Sequence, residues 1–501
     1  MDTPPEPIMN RIATLTAAIV LALAGTTPVQ AQTAKPVWDM SDELDWDALN
    51  QQVATLARQG EITRAVAVAQ QALGLADANV GPDHPDTATS LTSLAELYRA
   101  QGRYAKAGPL YQRALTIREK ALGPDDPDVA KSLNNLGLLY DVQGSYAKAE
   151  TLYQRALAIA EKALGPDHRL VANCLNNLAA LYQAQGFYAK AEPLYRRSLA
   201  IWETALGPND PELAAGLTKL AALYGIQGTY TKAEPLYQRA LAILEKALGP
   251  DHPQVANCLS SLAQLYQNQG ADAKAEPLFQ RALTIDEQAL KPEHPQVAAD
   301  LNHLAGLYRA RRDYAKAKPL YDRALAIQEK SLGPDHPEVT RRLNDVALLY
   351  QDQSAFDKAE PLFLRALAIG EKTLGPNHLE LATSLNNLAE LYRTQGDAAK
   401  AEPHHQRALS IREKALGPNH PDVAQSLNNL ALVYRDLAAF TKAEPLFKRA
   451  LAIWEKSLGP DHPKVAQCLA NLATLYRAMK RDKEATDLEL RAEHIKAIKQ
   501  P

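Results

Sequence analysis

Residues 123–164 read GPDDPDVAKSLNNLGLLYDVQGSYAKAETLYQRALAIAEKAL, and this unit decides the fold of the chain. Close copies begin at residues 81, 165, 207, 249, 291, 333, 375, 417 and 459, so the period is 42 residues with no insertion between copies. A fixed period of this size is typical of stacked repeats, in which each unit contacts mainly its neighbours. The chain is therefore predicted to form a solenoid.

Each unit contains two amphipathic helices. In the first, helix A, apolar side chains recur at steps of three and four, as on one face of a helix: Val129, Leu133, Leu136, Gly137 and Tyr140. Residues 143–145 break this pattern, and the second helix, helix B, follows with Tyr146, Ala149, Tyr153, Ala156, Leu157, Ala160 and Leu164. Asp125 is the predicted N-cap of helix A, with Pro127 in its first turn.

The pattern resembles the tetratricopeptide repeat (TPR). The residues that carry the resemblance are Leu133, Leu136, Gly137, Tyr140, Ala149, Tyr153 and Ala156. The extended form with LNNLA and LGPDHP is similar to the repeats of kinesin light chains and nephrocystin, from about residue 43 to the C-terminus. The resemblance implies an all-α fold, a right-handed superhelical α-solenoid of about eleven stacked helix-turn-helix pairs, with helix A on the concave side.

The first 31 residues do not belong to the repeat. Asn10 and Arg11 precede an apolar stretch over residues 12–24, and Ala31 ends a small-residue segment, as in a secretory signal peptide. The apolar stretch is too short for an ordinary membrane-spanning helix. We expect a signal peptide over 1–31, with translation from Met1 or Met9, and a periplasmic or secreted mature protein. The alternative is a misread leader on a cytoplasmic protein.

The domain organisation follows the same register. Residues 32–42 are a predicted linker, and 43–80 a degenerate N-terminal capping repeat, in which Gln52 and Ala69 replace the usual leucine and aromatic residue. Residues 81–461 are tandem 42-residue repeats. Residues 462–501 are the last repeat with a polar C-terminal capping helix, where Glu489 occupies the aromatic position. Atypical polar units are expected at both ends of a solenoid.

Composition and motifs argue against several functional classes. The chain is 46% apolar and 23% charged, with a formal net charge of −3, and it has no basic run that would attract nucleic acid. It contains no nucleophile elbow, phosphate-binding loop or HExxH motif. We therefore predict no enzymatic activity, no cofactor and no nucleic-acid partner.

Histidine and cysteine positions do not predict a metal site or an internal disulfide. The loops before helix A carry one histidine in most repeats: His84, His168, His252, His294, His336, His378, His420 and His462. Neighbouring loops of packed helix pairs are on the order of 20 Å apart, too far to share a zinc ion. Cys174, Cys258 and Cys468 share one helix A position two and five repeats apart, too far for a disulfide within a regular solenoid. We interpret them as small buried residues, with an intermolecular bridge left open.

Comparison of equivalent positions separates structural from candidate binding residues. Arg155, Lys148 and Glu161 have equivalents in nearly every copy and are interpreted as contacts within and between repeats. Polar residues on the exposed face of helix A vary more, and we predict that these bind a partner on the concave face: Lys131, Asn134, Asn135, Asn176, Asn177, Arg309, Asn386, Asn387, Arg393, Asn428, Asn429, Arg435, Asn471 and Arg477. A row of amides suits the backbone of an extended peptide. The same amides could equally bond to neighbouring helices and hold the repeat geometry.

The charged positions suggest the chemistry of the partner. Lys131 with Asn135, and Arg341 with Asp345, lie where TPR domains that clamp a carboxylate carry a cation and an amide, although Asp345 would repel an acidic group. Three consecutive copies place arginine near the end of helix A, at Arg393, Arg435 and Arg477. Arginine pairs with carboxylates, so the groove around residues 380–480 is predicted to favour an acidic or polar segment.

The sequence as a whole favours a non-enzymatic, exported scaffold or adaptor that binds a protein or extended peptide in its concave groove, with no transmembrane segment after signal removal. An intracellular TPR adaptor and a solenoid that binds envelope glycan or RNA are the alternatives. The oligomeric state stays open. His404 and His405 replace leucine and an aromatic residue in one copy, which indicates either a pH-sensitive position or one weak repeat.

Overall fold

The computed structural model describes residues 45–498, and within that range every element is an α-helix. Twenty-two helices form eleven consecutive helix A–helix B pairs, each packed against the next. The prediction of an all-α solenoid of about eleven helix-turn-helix pairs is confirmed. The predicted signal peptide, 1–31, and linker, 32–42, lie outside the described residues.

The two helices of each pair alternate along the chain. The A helices are α1 (Trp46–Arg58), α3 (Pro85–Ala100), α5 (Pro127–Val142), α7 (Arg169–Ala184), α9 (Pro211–Ile226), α11 (Pro253–Asn268), α13 (Pro295–Ala310), α15 (Pro337–Asp352), α17 (Leu379–Thr394), α19 (Pro421–Asp436) and α21 (Pro463–Ala478). The B helices are α2 (Ile62–Asn79), α4 (Tyr104–Leu122), α6 (Tyr146–Leu164), α8 (Tyr188–Leu206), α10 (Tyr230–Leu248), α12 (Asp272–Ala289), α14 (Tyr314–Leu332), α16 (Phe356–Leu374), α18 (Ala398–Leu416), α20 (Phe440–Leu458) and α22 (Asp482–Ile498).

The N-cap of helix A lies one residue later than predicted. In α5 the cap is Asp126 rather than Asp125, with its Oδ1 accepting the backbone N–H of Asp128 at 2.7 Å and Pro127 as the first helical residue. In eight repeats the loop histidine occupies this position and accepts through Nδ1, as His420 does from the N–H of Asp422 at 3.0 Å. Histidine is not among the preferred N-caps, so the preceding acidic residue was the better sequence signal.

In the nine repeats between the two terminal ones, a large side chain from helix B fills the space between the two helices. The position is occupied by Tyr111, Tyr153, Tyr195, Tyr237, Phe279, Tyr321, Phe363, His405 and Phe447, all buried. Tyr153 packs against Gly137 so closely that a Cβ on that glycine would lie 2.7 Å from the ring. Small residues on helix A therefore permit the close helix packing that the sequence pattern predicts.

Charged side chains on the surface make the same contacts in successive repeats, both between neighbouring repeats and within one repeat. Arg155 pairs with Glu119 at 2.8 Å, and the same pairing, 36 residues apart, recurs from Arg113–Asp77 to Arg491–Glu455. The Lys148 ammonium lies 5.2 Å from the centre of the Tyr140 ring, and its equivalents repeat the contact. These contacts confirm the structural interpretation of Arg155, Glu161 and Lys148. Each exposed pair contributes at most about 1 kcal/mol.

The superhelix winds tightly enough for successive turns to touch. His420 Nε2 lies 3.0 Å from the carbonyl oxygen of Ala184, and His462 Nε2 lies 3.3 Å from that of Ile226, each across 236 residues. This separation is between five and six 42-residue repeats, so one superhelical turn takes that many repeats. The eleven pairs therefore make about two turns.

Candidate binding surface on the inner face of the solenoid

Helix A lies on the inside of the superhelical curve. The A helices of neighbouring repeats contact each other directly, and do so more than the B helices, as expected where a curved stack converges. We define the inner face by one position in each of the ten A helices from α3 to α21: Ser93, Asn135, Asn177, Lys219, Ser261, His303, Asp345, Asn387, Asn429 and Asn471. The predicted amides therefore belong to the surface that a partner inside the superhelix would meet.

Several predicted amides bond to one another across repeats. The Nδ2 of Asn177 donates to Oδ1 of Asn134 at 3.0 Å, and Asn471 donates in the same way to Asn428 at 3.0 Å. Asn344, at the position equivalent to Asn134, donates to Ser384 Oγ at 2.9 Å. These bonds hold adjacent A helices in register, which supports the structural role that the sequence left open for these residues.

Other predicted amides also bond within the solenoid. Asn135, Asn386 and Asn429 pair with Glu96 at 3.4 Å, His405 at 2.8 Å and Gln425 at 3.0 Å. Asn176 is buried and its Oδ1 has no donor among the described residues. A partner that binds these asparagines would have to displace the internal hydrogen bonds of most of them.

The predicted arginines all lie beside carboxylates. Asp436 is shared by Arg393 and Arg435, at 2.9 and 2.8 Å. Arg309 lies 3.5 Å from Asp352 and Arg477 lies 2.7 Å from Glu489. Lys131 is exposed and pairs with Asp128 at 2.8 Å.

The second candidate for a carboxylate clamp is also neutralised internally. Arg341 pairs with Glu380 and lies 3.6 Å from Glu338, while Asp345 pairs with Arg342 at 3.3 Å. The cation and the polar group therefore belong to two separate ion pairs. This arrangement leaves no free guanidinium at that position.

Ser93 makes no side-chain hydrogen bond among residues 45–498, and the same holds for two larger inner-face groups: Lys219 and Asn387. Both are half-buried, and burial lowers the pKa of Lys219 to about 8. Asn387 was predicted as a binding residue, whereas Lys219 was not. The available signal was that Lys219 is the one lysine at a position that is asparagine in five copies.

A buried acidic pair, missed from the sequence, lies between two repeats. Asp286 on α12 and Asp300 on α13 are both fully buried, and Ser260 donates to Asp300 at 2.9 Å. Burial raises the pKa of Asp286 to about 7, and the pKa of Asp300 also rises because of burial and the neighbouring Asp286. Two buried carboxyls without a cation are most stable when they hold a proton between them.

The described residues hold no cluster suited to metal chemistry. Over residues 45–498, no three histidine, cysteine or acidic side chains are placed to share a metal ion. The three cysteines are free and buried, and burial raises the pKa of each thiol to about 12. No helix in the same range is long and apolar enough to cross a membrane.

The family model for the tetratricopeptide repeat matches nine overlapping segments, which together span residues 47–288 and 296–496. The chain belongs to the tetratricopeptide repeat family. This confirms the resemblance inferred from the repeat pattern. A search of curated proteins finds no match.

Solved TPR structures resemble parts or most of the chain. BtubC (BKLC) from P. vanneervenii is 27% identical, covering 48% of this chain and 92% of its own, with a TM-score of 0.36. The kinesin light chain-like repeats of Podosopora anserina are 28% identical over 41% of this chain and 97% of theirs, with a TM-score of 0.35. A Rap protein complexed with Competence and Sporulation Factor is 17% identical over 82% of this chain and 98% of its own, with a TM-score of 0.50.

Proposed function

We propose that the protein is a non-enzymatic scaffold that binds a protein or an extended peptide along the inner face of its solenoid. The observation that carries this proposal is the row of polar side chains on successive A helices, in which Lys219 and Asn387 have no side-chain partner within the part of the chain that the structure describes. An extended chain exposes its own N–H and C=O groups at regular intervals, so it matches a surface with regularly spaced donors and acceptors. The Rap protein of this fold was solved with a bound factor.

The partner segment in this proposal is extended and polar. Acidic side chains in the segment would have to displace Asp436 from Arg393 and Arg435, because that carboxylate already holds both guanidinium groups. Lys219 offers a cation without such a competitor. Binding at Lys219 should therefore weaken as the pH rises through its lowered pKa of about 8, because the lysine then loses its charge.

We also propose that the scaffold acts outside the cytoplasm. The proposal rests on the signal-like residues 1–31. Buried thiols with raised pKa values would resist oxidation in such a compartment. Fractionation of cells that express the full chain, with N-terminal sequencing of the product, tests it: cleavage near Ala31 and recovery outside the cytoplasm are expected, and an uncleaved cytoplasmic product would contradict export.

The binding surface can be tested with two variants of identical composition. Lys219→Ala/Asn387→Ala removes the two largest inner-face groups that have no side-chain partner among the described residues. Lys120→Ala/Asn419→Ala removes one lysine and one asparagine from exposed positions without an ion pair or hydrogen bond among the described residues. A partner is first captured from envelope extract with the parent protein, and its affinity for all three proteins is then measured in purified form.

We predict different affinities for the two variants. The inner-face variant should bind the partner at least about tenfold more weakly, the effect of losing roughly 1.4 kcal/mol, while the control variant binds like the parent. Equal binding by the parent and both variants would place the partner elsewhere on the solenoid.

A further inference from the structure

A continuous line of contacts joins the two turns of the superhelix. We call this line the seam. It consists of the five turns between helices A and B at residues 58–60, 100–102, 142–144, 184–186 and 226–228, and of the five loops 236 residues later, at His294, His336, His378, His420 and His462. The register is the same at all five positions, so the seam is a property of the repeat rather than an isolated contact.

The loop histidines use their two ring nitrogens differently at the seam. In His420, Nδ1 accepts the N–H of Asp422 at 3.0 Å and caps its own helix, while Nε2 donates to the carbonyl oxygen of Ala184 at 3.0 Å. His462 does the same with Lys464 and Ile226, at 3.1 and 3.3 Å. These bonds require the neutral imidazole protonated at Nε2.

The remaining seam histidines pack against the first turn in the same register. The ring of His336 faces the backbone of Ala100, and that of His378 faces the backbone of Val142. Their Nε2 atoms are buried without a hydrogen bond of ordinary geometry. By contrast, His84 and His168 of the first turn cap their helices in the same way but are exposed.

Glycine and proline shape the seam. Gly60, Gly102 and Gly186 have positive φ, and a Cβ on them would lie 2.8 Å from His294, 3.2 Å from Pro337 and 2.5 Å from Pro421. Gly144 has the same conformation, with φ of +71°, but nothing within 4 Å of its Cβ position. The residue in register with it is Leu379, where the other loops have proline.

Charged and aromatic residues add to the contact between the turns. Lys291 Nζ pairs with Glu61 Oε1 at 2.7 Å across 230 residues. Tyr104 at the start of α4 lies close enough to Glu380 and Glu338 of the second turn for their charges to raise its pKa further, after the larger effect of burial. The seam is therefore held along its length by hydrogen bonds, an ion pair and close packing.

We propose that the seam is a latch that closes the solenoid into a compact two-turn tube, and that the loop histidines of the second turn are its fastening residues. Each contact is small and involves turns, loops and the first turns of helices, outside the apolar packing between helices A and B of a repeat. The seam can therefore open while every repeat stays folded, as local units of a protein open more readily than the whole. This inference does not depend on the proposed function.

Matched histidine variants of the full chain separate the latch from helix capping. The seam variant is His294→Asn/His336→Asn/His420→Asn, and the control variant is His84→Asn/His168→Asn/His252→Asn. Asparagine is a good N-cap, but it is too short to reach the other turn. Both variants therefore keep their caps, and only the seam variant loses contacts between turns.

Two readouts report closure directly. A carbodiimide cross-link between Glu61 and Lys291, identified by mass spectrometry, requires a closed seam, and small-angle X-ray scattering gives the maximum dimension of the molecule. The parent and the control should give the cross-link and a compact curve. The seam variant should give a cross-link yield roughly fivefold lower, as expected for weakened hydrogen bonding, and a larger maximum dimension, with unchanged helical circular dichroism.

A second pair of variants decides the question if the triple histidine variant loses helicity. Gly186→Ala and Gly144→Ala introduce the same strain at positive φ, but only Gly186→Ala places a methyl group against Pro421. Gly186→Ala should expand the molecule and lower the cross-link yield relative to Gly144→Ala. The proposal is overturned if the parent gives no cross-link, if the seam and control histidine variants behave alike, or if the two glycine variants behave alike.

Discussion

His405 shows what one unusual residue does in a repeated core. It occupies the aromatic position between helices A and B and is fully buried. Its Nδ1 donates to Asn386 Oδ1 at 2.8 Å, and its Nε2 has no hydrogen-bond partner among residues 45–498. Burial lowers its pKa to about 3, and the nearby charges of Arg393 and Arg412 act in the same direction, as does His404. The side chain is thus a neutral core residue that destabilises the folded protein only at acidic pH.

We expect the free energy of unfolding to fall as the pH drops from about 6.5 towards 3. In this range the unfolded chain binds a proton at His405 and the folded chain does not, so protonation favours unfolding. At pH 5 the loss for this residue is about 2 kcal/mol. His405→Phe, which restores the residue found at Phe447, should remove this part of the pH dependence in denaturant titrations at pH 5 and 7.5.

The exposed His494 offers a control for this prediction. His494→Phe should leave the pH dependence as it is in the parent. If His405→Phe also left it unchanged, His405 would have to be solvated in the folded protein.

At the scale of helices, residues 14 positions apart set how one repeat meets the next. Each interface pairs one helix B residue with one helix A residue of the following repeat, as in Arg118 with Ser132, Ala160 with Cys174, Trp202 with Gly216, and Trp454 with Cys468. Arg118 donates to Ser132 at 2.7 Å, and a Cβ on Gly216 would lie 2.5 Å from the Trp202 ring. The Trp202 indole therefore occupies the space that a side chain at position 216 would need.

Exchange of this pair tests that interpretation. Gly216→Cys should destabilise the protein by about 1–3 kcal/mol through overpacking against Trp202, and Trp202→Ala by about 3–5 kcal/mol through a cavity. The double variant recreates the Ala160 and Cys174 pair, so its loss should be smaller than the sum of the two single losses. Additive losses in denaturant unfolding would show that the two positions do not interact.

The helices themselves could be predicted because their signals lie within 42 residues. Periodic apolar residues and the break at 143–145 give both helices of each pair. The N-cap was misplaced by one residue because most copies carry a histidine directly after the position of Asp125, and histidine is not a usual N-cap. The role of Asn134 and Asn177 stayed ambiguous because equivalent positions in a repeat do not reveal whether neighbouring amides reach one another.

The contacts between turns could not be predicted because they depend on the whole molecule. Whether His420 meets Ala184 is set by a small rotation and rise per repeat, added up over 236 residues. A few degrees per repeat would separate the turns or shift the register.

At the scale of the molecule, the A helices of two superhelical turns face inward, and we propose that their polar inner face binds a partner. Hydrogen–deuterium exchange of the full chain, with and without the partner captured as described above, tests this claim most directly. We predict slower exchange in the A helices α9 to α17, between Lys219 and Asn387, with little change in the B helices on the outside. Protection confined to the B helices or the loops would contradict the account.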